Sequence, residues 1–313
     1  MSSAEVTLSR TASQPQPAAL PLAGRAQAAA LIKPRAGTLV MQGVNKRFEK
    51  SDIATLQDIS LRCESGEFVV VVGPSGCGKS TLLNIAAGMA RADTGTVELD
   101  GKPIVGPGPE RAMVFQDHGL FPWLTAAQNV EFGLRMARIP TPERRGRVAN
   151  ALRMVHMSGS GDKLVHQLSG GMRQRIAIAR SLVMDPAVLL MDEPFAALDA
   201  QTRTLLHDQL QTLWCETHKT ILFVTHSVGE AVRLADRIIV LHAHPGRIRK
   251  EIPIPLPHPR RFDSPDISEL ARLVRKEIEE EVNRVNALVA EDSWQPKPPA
   301  DLGHFAGDMG DGI

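Results

Sequence analysis

The fold is decided by a stretch that reads FVVVVGPSGCGKST, from Phe68 to Thr81. Its first five residues are a continuous, mostly β-branched apolar run of the length of a buried strand. The next nine match the pattern GxxxxGKS/T, and the apolar residues of the segment 82–89 recur at helical spacing. The sequence therefore predicts a buried strand, a glycine-rich loop and a helix in direct succession.

The residue types in this loop are those that bind nucleotide phosphates. Glycines let successive backbone N–H groups surround a phosphate, Lys79 can reach the β- and γ-phosphates, and the Ser80 hydroxyl can coordinate Mg²⁺. A glycine-rich turn with a buried lysine is the alternative, and the strand–loop–helix context argues against it. The predicted nucleotide-binding residues are Gly73, Pro74, Ser75, Gly76, Cys77, Gly78, Lys79, Ser80 and Thr81.

The sequence around the loop predicts an α/β core. Apolar runs of strand length occupy 188–191, 221–224 and 238–241, and they alternate with helical patterns. Between the loop and these runs lies a mainly helical insert, about 117–183, interrupted at Pro140 and Pro142. Alternating apolar residues before the loop and ahead of Asp100-Gly101, a hairpin dipeptide, predict antiparallel strands as well.

The two ends of the chain differ from this core in composition. Residues 1–37 are rich in Ala, Ser, Pro and Gln, and residues 291–313 are rich in Pro and Gly, so both are predicted to be disordered. Between 246 and 290 we predict a proline-rich, extended connector followed by a helix that begins at Ser264-Pro265. The apolar stripe of that helix is expected to pack on its own core; a dimer interface is the alternative.

Composition excludes several classes of protein. The 313 residues carry 36 Lys and Arg against 35 Asp and Glu, a formal net charge of +1, which gives no basic excess for nucleic-acid binding. The three cysteines are widely separated, which predicts a reducing compartment rather than a disulfide framework or a zinc site. Every apolar run is shorter than the roughly 20 residues that a membrane span needs.

Two further motifs supply the chemistry that a phosphate loop needs. Asp192 and Glu193 directly follow the strand run 188–191, where one carboxylate can hold Mg²⁺ and the other can polarise an attacking water. Ser169-Gly170-Gly171 begins an amphipathic helix with a capping residue, and the free N–H groups at such a start can form a second anion site.

Taken in order, these motifs resemble the signature of ATP-binding-cassette (ABC) ATPases. Gln116 after Val114-Phe115, Asp199 after Ala197-Leu198, and His226 after the strand run 221–224 match in the same order. The resemblance covers about residues 39–241. It implies an α/β fold with a P-loop NTPase (RecA-like) core, an antiparallel β subdomain and a helical subdomain, with the nucleotide-binding domain expected over 38–245.

The resemblance also implies roles for single residues. Gln116 would contact Mg²⁺ and the attacking water while sensing a membrane partner, and His226 would contact the γ-phosphate; a buried amide and a structural histidine are the alternatives. Phe48 lies where an aromatic residue, usually Tyr, stacks on adenine, but the chain has no Tyr, and a core phenylalanine is the alternative. Glu193 would be the catalytic base, and Asp192, Ser80 and Gln116 would bind the metal.

In the same family, Ser169, Gly170 and Gly171 would contact the nucleotide held by the opposite subunit. Two copies of the chain would therefore enclose two ATP molecules head to tail, with Asp199 along the seam between them. The resemblance thus implies a homodimer that uses ATP and Mg²⁺.

Two segments resemble more narrowly the importers of nitrate, sulfonates and taurine. They are residues 119–134, which include Phe121 and Trp123, and residues 244–261. The two aromatic residues would line a groove for a permease helix; the alternative is that they are core residues of the helical insert. The solute stays open, because its contacts lie in other polypeptides.

The resemblance implies an ATP-hydrolysing subunit of an importer, peripheral to the cytoplasmic face of the inner membrane. Its partners would be an integral membrane permease and, indirectly, a periplasmic solute-binding protein, with no nucleic acid. A soluble ABC-type ATPase of DNA repair or translation is the alternative, although such proteins usually carry a long coiled coil or two cassettes. A GTPase or nucleotide kinase would have no use for the segment Leu168–Met172.

Overall fold

The strand that precedes the phosphate loop, β3 (Phe68–Val72), lies inside a six-stranded sheet. The computed structural model describes residues 36–49, 53–243, 245–261 and 264–291, and for 282 and 284–291 the backbone alone. The sheet order is β10-β9-β3-β8-β7-β6, in which β10 alone runs antiparallel to its neighbour. The strands are β6 (Arg111–Val114), β7 (Val188–Asp192), β8 (Thr220–Val224), β9 (Arg237–Leu241) and β10 (Ile248–Pro253).

The five parallel strands end at the same edge of the sheet. The segments that follow β3, β6, β7, β8 and β9 therefore meet there, and they include the phosphate loop, Gln116, Glu193 and His226. In open α/β sheets this carboxyl edge is where ligands bind. The topology alone thus brings together residues from distant parts of the sequence.

Each face of the sheet carries its own hydrophobic core. Along β3, Phe68, Val70 and Val72 belong to one core, and Val69 and Val71 to the other, because successive strand residues point to opposite faces. All five are fully buried. The predicted buried strand is therefore confirmed, and its lack of alternation reflects a sheet that is covered on both sides.

A second, antiparallel sheet of order β2-β1-β4-β5 covers one of these faces. Its strands are β1 (Leu39–Lys46), β2 (Leu56–Cys63), β4 (Thr94–Leu99) and β5 (Lys102–Pro103). Asp100 and Gly101 join β4 to β5, both with positive φ (51° and 73°), as a tight hairpin turn requires. The antiparallel strands predicted around this dipeptide are present.

The segment between β6 and β7 is helical. It contains α2 (Ala126–Met136), α3 (Thr141–Met154) and α4 (Gly170–Leu182), with short 3₁₀ turns at Ser158–Ser160 and Val165–Gln167. Thr125 and Gln128 form a capping box that starts α2. Pro140 lies at the predicted break and caps α3, but Pro142 lies inside the first turn of α3, where a missing N–H costs nothing.

Four more described helices complete the fold, and their buried apolar residues belong to the two hydrophobic cores. They are α1 (Lys79–Ala87), directly after the phosphate loop, then α5 (Ala200–Thr217), α6 (Val228–Leu234) and α7 (Pro265–Glu291). The fold is therefore the α/β architecture with parallel and antiparallel sheets that the sequence predicts.

The connector before α7 is partly a strand. Residues 248–253, at the start of the predicted proline-rich, extended connector, form β10 and pair antiparallel with β9. Pro253 is tolerated because β10 is an edge strand. Along α7 the predicted apolar stripe packs on the chain's own core as far as it is described, with Ile267 and Val274 buried and Leu270 and Ile278 packed beside them.

The predicted disorder of 1–37 and 291–313 falls almost entirely outside the described residues. Gly37, however, is buried, and its carbonyl oxygen accepts a hydrogen bond of 2.6 Å from Thr220 Oγ1. Gly37 therefore belongs to the fold rather than to the extension. Among the described helices, none is both long and apolar enough to cross a membrane.

Candidate nucleotide-binding and catalytic site

The phosphate loop joins β3 to the first residue of α1, Lys79. Gly76 and Gly78 have φ values of 78° and 94°. At Gly78 a Cβ atom would lie 2.6 Å from Leu56 Cδ2, so both the backbone conformation and the space demand glycine. No side chain caps α1, which leaves its first N–H groups free to face a phosphate.

Lys79 is held inside the loop. Its side chain is buried, and its Nζ donates hydrogen bonds of 2.9 Å to the carbonyl oxygens of both Gly73 and Pro74. The alternative of a buried lysine thus describes the burial correctly. The Nζ is nevertheless placed among the free N–H groups of the loop, where a phosphate would bind.

Ser80 and Asp192 form a pair of oxygen donors. Ser80 Oγ donates a hydrogen bond of 3.2 Å to Oδ1 of Asp192, the last residue of β7. Burial raises the pKa of Asp192, the charge of Glu193 acts in the same direction, and the hydrogen bond from Ser80 opposes both. A carboxylate that is destabilised in this way is suited to a cation.

These donors fit Mg²⁺. The ion prefers oxygen ligands and is usually bound through one or two carboxylates together with the phosphates of a substrate and water. The described residues contain no cluster of three His, Cys, Asp or Glu side chains that could hold a metal by themselves. The Ser80–Asp192 pair would suit a Mg²⁺ ion that takes its other ligands from a bound nucleotide and water.

Glu193 and His226 face each other above the end of the sheet. His226 Nδ1 lies 2.9 Å from Glu193 Oε2, and 64% of the histidine side chain is exposed. Glu193 adopts φ 42°, an uncommon conformation for a residue with a Cβ. His226 is exposed, and its role at the γ-phosphate stays a prediction beside the alternative of a structural histidine.

Gln116 follows β6, the edge strand beside β7. Val114 pairs with Met191, so Gln116 lies near the end of the strand that carries Asp192. Its side chain is exposed, which excludes the alternative of a buried amide. Gln116 is therefore free to reach a ligand at the same edge of the sheet.

Ser169 caps α4 and is exposed. Its Oγ accepts a hydrogen bond from Met172 N at 3.3 Å, and Gly170 and Gly171 form the first helical turn. Asp199 caps α5 in the same manner, accepting from Thr202 N at 2.9 Å. Both helices thus present their N-terminal ends at the surface, where N–H groups attract anions.

The aromatic candidates are accessible to different extents. Phe48 is 48% exposed with Lys46 Nζ 5.5 Å from its ring centre, so a core role for Phe48 is wrong. Trp123 is 72% exposed, whereas Phe121 is half-buried between the rings of Trp123 and Phe132. Of this pair, Trp123 is a surface residue and Phe121 supports it.

The structure adds residues that the sequence does not reveal. Thr225 and Glu230 are buried next to His226 and are joined by a hydrogen bond of 2.6 Å. Gly246 packs so closely that a Cβ atom on it would lie 2.2 Å from the carbonyl oxygen of Cys77. The burial of a Thr and a Glu between polar neighbours gives no periodic signal, whereas a glycine five residues after a strand is a signal of close approach.

Known proteins are similar to this chain in both sequence and fold. Residues 56–196 match the family model described as ABC transporter. The chain is 46% identical over 236 residues to the aliphatic sulfonates import ATP-binding protein SsuB of Bacillus licheniformis, covering 75% of this chain and 91% of that protein.

Two further relatives are equally similar. The chain is 46% identical to the taurine import ATP-binding protein TauB of Pelagibacter ubique, covering 69% of this chain and 83% of that protein. It is also 46% identical to the nitrate import ATP-binding protein NrtD of a Synechocystis strain, covering 67% and 79%. The resemblance noted in the sequence is confirmed by these relatives.

Among solved structures, the chain is similar to the ATP-binding cassette MJ0796, described as a dimer in a post-hydrolysis state bound to ADP and Pi. The TM-score is 0.61 at 33% identity, and the match covers 69% of this chain and 98% of that one. The predicted P-loop NTPase fold is confirmed by this match.

Proposed function

Since this chain belongs to the ATP-binding proteins of ABC transporters, we propose that it hydrolyses ATP to drive solute uptake through a separate membrane permease. The observation that carries this proposal is the Glu193–His226 pair, 2.9 Å apart, at the sheet edge that also holds Lys79 and the Ser80–Asp192 pair. A phosphate-binding loop, a metal-binding pair and a candidate base thus share one edge.

The chain's own residues supply the steps of hydrolysis. The loop amides and Lys79 bind the β- and γ-phosphates and stabilise the charge that develops on them. Glu193 orients a water molecule and accepts its proton, and His226 holds the γ-phosphate and Glu193 in register. Mg²⁺, held by Ser80, Asp192 and Gln116, would neutralise charge on the phosphate oxygens. Phe48 stacks on the adenine.

We propose that the active form is a head-to-tail homodimer. Ser169, Gly170 and Gly171 of one copy would contact the nucleotide bound by the phosphate loop of the other, and Asp199 would line the seam. The open N-terminal end of α4 and the dimeric state described for MJ0796 support this arrangement.

The permease would dock on the helical part of the chain, against Trp123. Because it would bind this permease, the chain would lie at the cytoplasmic face of the inner membrane. We propose a small anionic or zwitterionic solute such as a sulfonate, taurine or nitrate, delivered through a periplasmic binding protein, because relatives of this chain carry import names for each of these. The alternative role in DNA repair or translation has no support among these relatives.

The decisive experiment is Glu193→Gln, which keeps the shape of the side chain but removes its charge and its capacity to accept a proton. ATP turnover should fall by about a thousandfold, as for the loss of a general base. Because hydrolysis reopens the dimer, the variant should elute as an ATP-bound dimer in size-exclusion chromatography with ATP and Mg²⁺.

Glu143→Gln is the matched control, since Glu143 is exposed on α3 and pairs only with Arg147 among the described contacts. It should turn over ATP at the parental rate and remain monomeric. A Glu193→Gln protein that hydrolyses ATP like the parent would refute the base assignment. Growth of a deletion strain on an alkanesulfonate, taurine or nitrate as sole sulfur or nitrogen source identifies the solute.

A further inference from the structure

A buried carboxylate contacts the residue that precedes His226. Glu230, on α6, is 5% exposed, and its Oε2 accepts a hydrogen bond of 2.6 Å from Thr225 Oγ1. Thr225 is the residue before His226 and is itself 2% exposed. The backbone conformation at the base of His226 therefore depends on a side-chain hydrogen bond that solvent does not reach.

The same threonine hydroxyl shapes the turn that carries His226. Thr225 Oγ1 accepts a hydrogen bond of 3.0 Å from Ser227 N, so the hydroxyl bridges the residues on either side of the histidine. Ser227 Oγ in turn accepts from Glu230 N at 3.4 Å and caps α6. His226 thus lies at the tip of a three-residue turn that is closed from below.

The other oxygen of Glu230 contacts α5, the helix that follows Glu193 in the sequence. His207 Nε2 lies 3.2 Å from Glu230 Oε1, and Arg203 Nε lies 3.9 Å from it. Arg203 also donates to the carbonyl oxygens of Phe195 and Leu198, at 3.2 and 2.7 Å. One carboxylate therefore connects the turn of His226 with the segment 195–198 that follows Glu193.

Glu230 is charged in this position. Burial acts to raise its pKa, but the hydrogen bonds from His207 and Thr225 outweigh burial and hold the pKa of Glu230 below its usual value. A charged acceptor makes a shorter and stronger hydrogen bond than a neutral one. The buried connection is thus suited to fixing a geometry.

We infer that Thr225 and Glu230 are positioning residues for hydrolysis: they hold His226 against Glu193 from below and couple it to the segment after Glu193. The inference rests on the proposed ATPase function. Above the sheet, the 2.9 Å contact between His226 and Glu193 is exposed and would be weak by itself, because water competes for it. The buried hydrogen bonds of Thr225 with Glu230 and Ser227 limit where His226 can lie.

The test compares two substitutions at one position. Thr225→Val keeps the shape of the side chain but removes both hydrogen bonds of the hydroxyl, whereas Thr225→Ser keeps the hydroxyl. We expect kcat for ATP to fall by about tenfold to a hundredfold in Thr225→Val, as for a displaced catalytic group, with KM almost unchanged. Thr225→Ser should restore most of the activity.

A purely structural role would give a different pattern. Val232→Ala, at a fully buried residue of α6, the helix that carries Glu230, is the matched control for lost stability, and below its melting temperature it should keep the parental kcat. In a His226→Ala background, Thr225→Val should cause no further loss, because its effect passes through the histidine. Full additivity of the two losses would overturn the inference.

A structural readout separates this inference from the proposed function. In crystals of the Thr225→Val protein, His226 Nδ1 should lie beyond hydrogen-bond distance of Glu193. If it stays within about 3 Å, the inference is wrong whatever the activity. If the parent protein hydrolyses no ATP, the proposed function fails, while the position of His226 in the variant still decides the inference.

Discussion

The phosphate loop and the start of α4 are both proposed to bind phosphate groups, yet they are built differently. Lys79 is only 7% exposed and is held by two carbonyl oxygens of its own loop. Ser169 is exposed, and its hydroxyl is satisfied by the helix that it caps. The phosphate loop is therefore preorganised by its own chain, whereas the N-terminal end of α4 is open and depends on a ligand from outside.

In the proposed head-to-tail dimer, this difference would explain why each chain supplies only half of a reaction site. A loop that surrounds a phosphate fixes the nucleotide but leaves one side of it uncovered. An open helix end supplies the missing contacts without being able to bind nucleotide tightly by itself. In the proposed dimer, a second copy would bring the two kinds of site together.

The largest expected effect is at the preorganised site. Lys79→Met keeps the apolar stem but removes the ammonium group, so Mg-ATP affinity should fall by about a hundredfold or more through the loss of charge-assisted contacts. Isothermal titration calorimetry measures the affinity. Because Lys79 Nζ also binds Gly73 and Pro74, the melting temperature without nucleotide should drop slightly. Unchanged affinity would contradict the role of the phosphate loop.

The open site should respond differently. Ser169→Arg, placed in the Glu193→Gln background, should abolish the ATP-trapped dimer because a bulky cation at the start of α4 obstructs the opposite nucleotide. Binding of ATP to the monomer should persist within about threefold, because the phosphate loop is untouched. Size-exclusion chromatography and calorimetry together measure both. A persistent dimer would show that the two sites do not meet.

A smaller effect is expected at the surface proposed for the permease. Trp123→Ala should reduce solute uptake by cells while the ATPase activity of the purified subunit and its melting temperature hardly change, since the ring is 72% exposed. Phe121→Ala should cost about 1–3 kcal/mol of stability, because its half-buried ring packs on Phe132. Loss of several kcal/mol in Trp123→Ala would identify a core residue instead.

The smallest effect concerns Asp192 without nucleotide. The folded state raises its pKa, so the charged form opposes folding, and this cost is present above the folded-state pKa. Asp192→Asn should therefore be slightly more stable than the parent at neutral pH. The advantage should shrink as the pH falls through the raised pKa of Asp192 toward its unfolded value. Thermal melts of both proteins across that range measure the difference, and a constant difference would contradict the burial effect.

Most of the fold could be predicted because it depends on local sequence patterns. The run 68–72 is apolar without alternation, which predicts the buried strand β3, and Asp100-Gly101 predicts the hairpin between β4 and β5. Both features are confirmed. The pairing of β10 is not predictable in this way, because no local pattern in 248–253 identifies its partner strand, and Pro253 is tolerated because β10 is an edge strand. The register that pairs it with β9 is a tertiary feature.

The same limit applies to the site. Asp192, Glu193 and His226 directly follow apolar strand runs, so the sequence predicts that they share one edge of the sheet, and their roles stay predictions. Glu230 could not be found in this way, because its contact with Thr225 depends on the sharp turn before α6, and its contact with His207 depends on how α5 and α6 pack. Buried polar contacts of this kind leave no repeat in the sequence.

One side of the phosphate loop is covered by Gly246, a residue late in the described chain, and we call this contact the outer wall of the loop. Gly246 presses on the carbonyl oxygen of Cys77, about 170 positions earlier in the sequence, and buried Glu281 on α7 accepts hydrogen bonds from His242 and Ala243 in the adjacent segment. At the usual rates of about 5–20 residues per second, ribosomal synthesis leaves this wall missing for roughly ten seconds or more after the loop has emerged. A nascent chain would therefore contain the residues of the phosphate loop well before Gly246 is available to pack against the loop. We therefore expect nucleotide binding to require a chain that has been synthesised through at least Gly246.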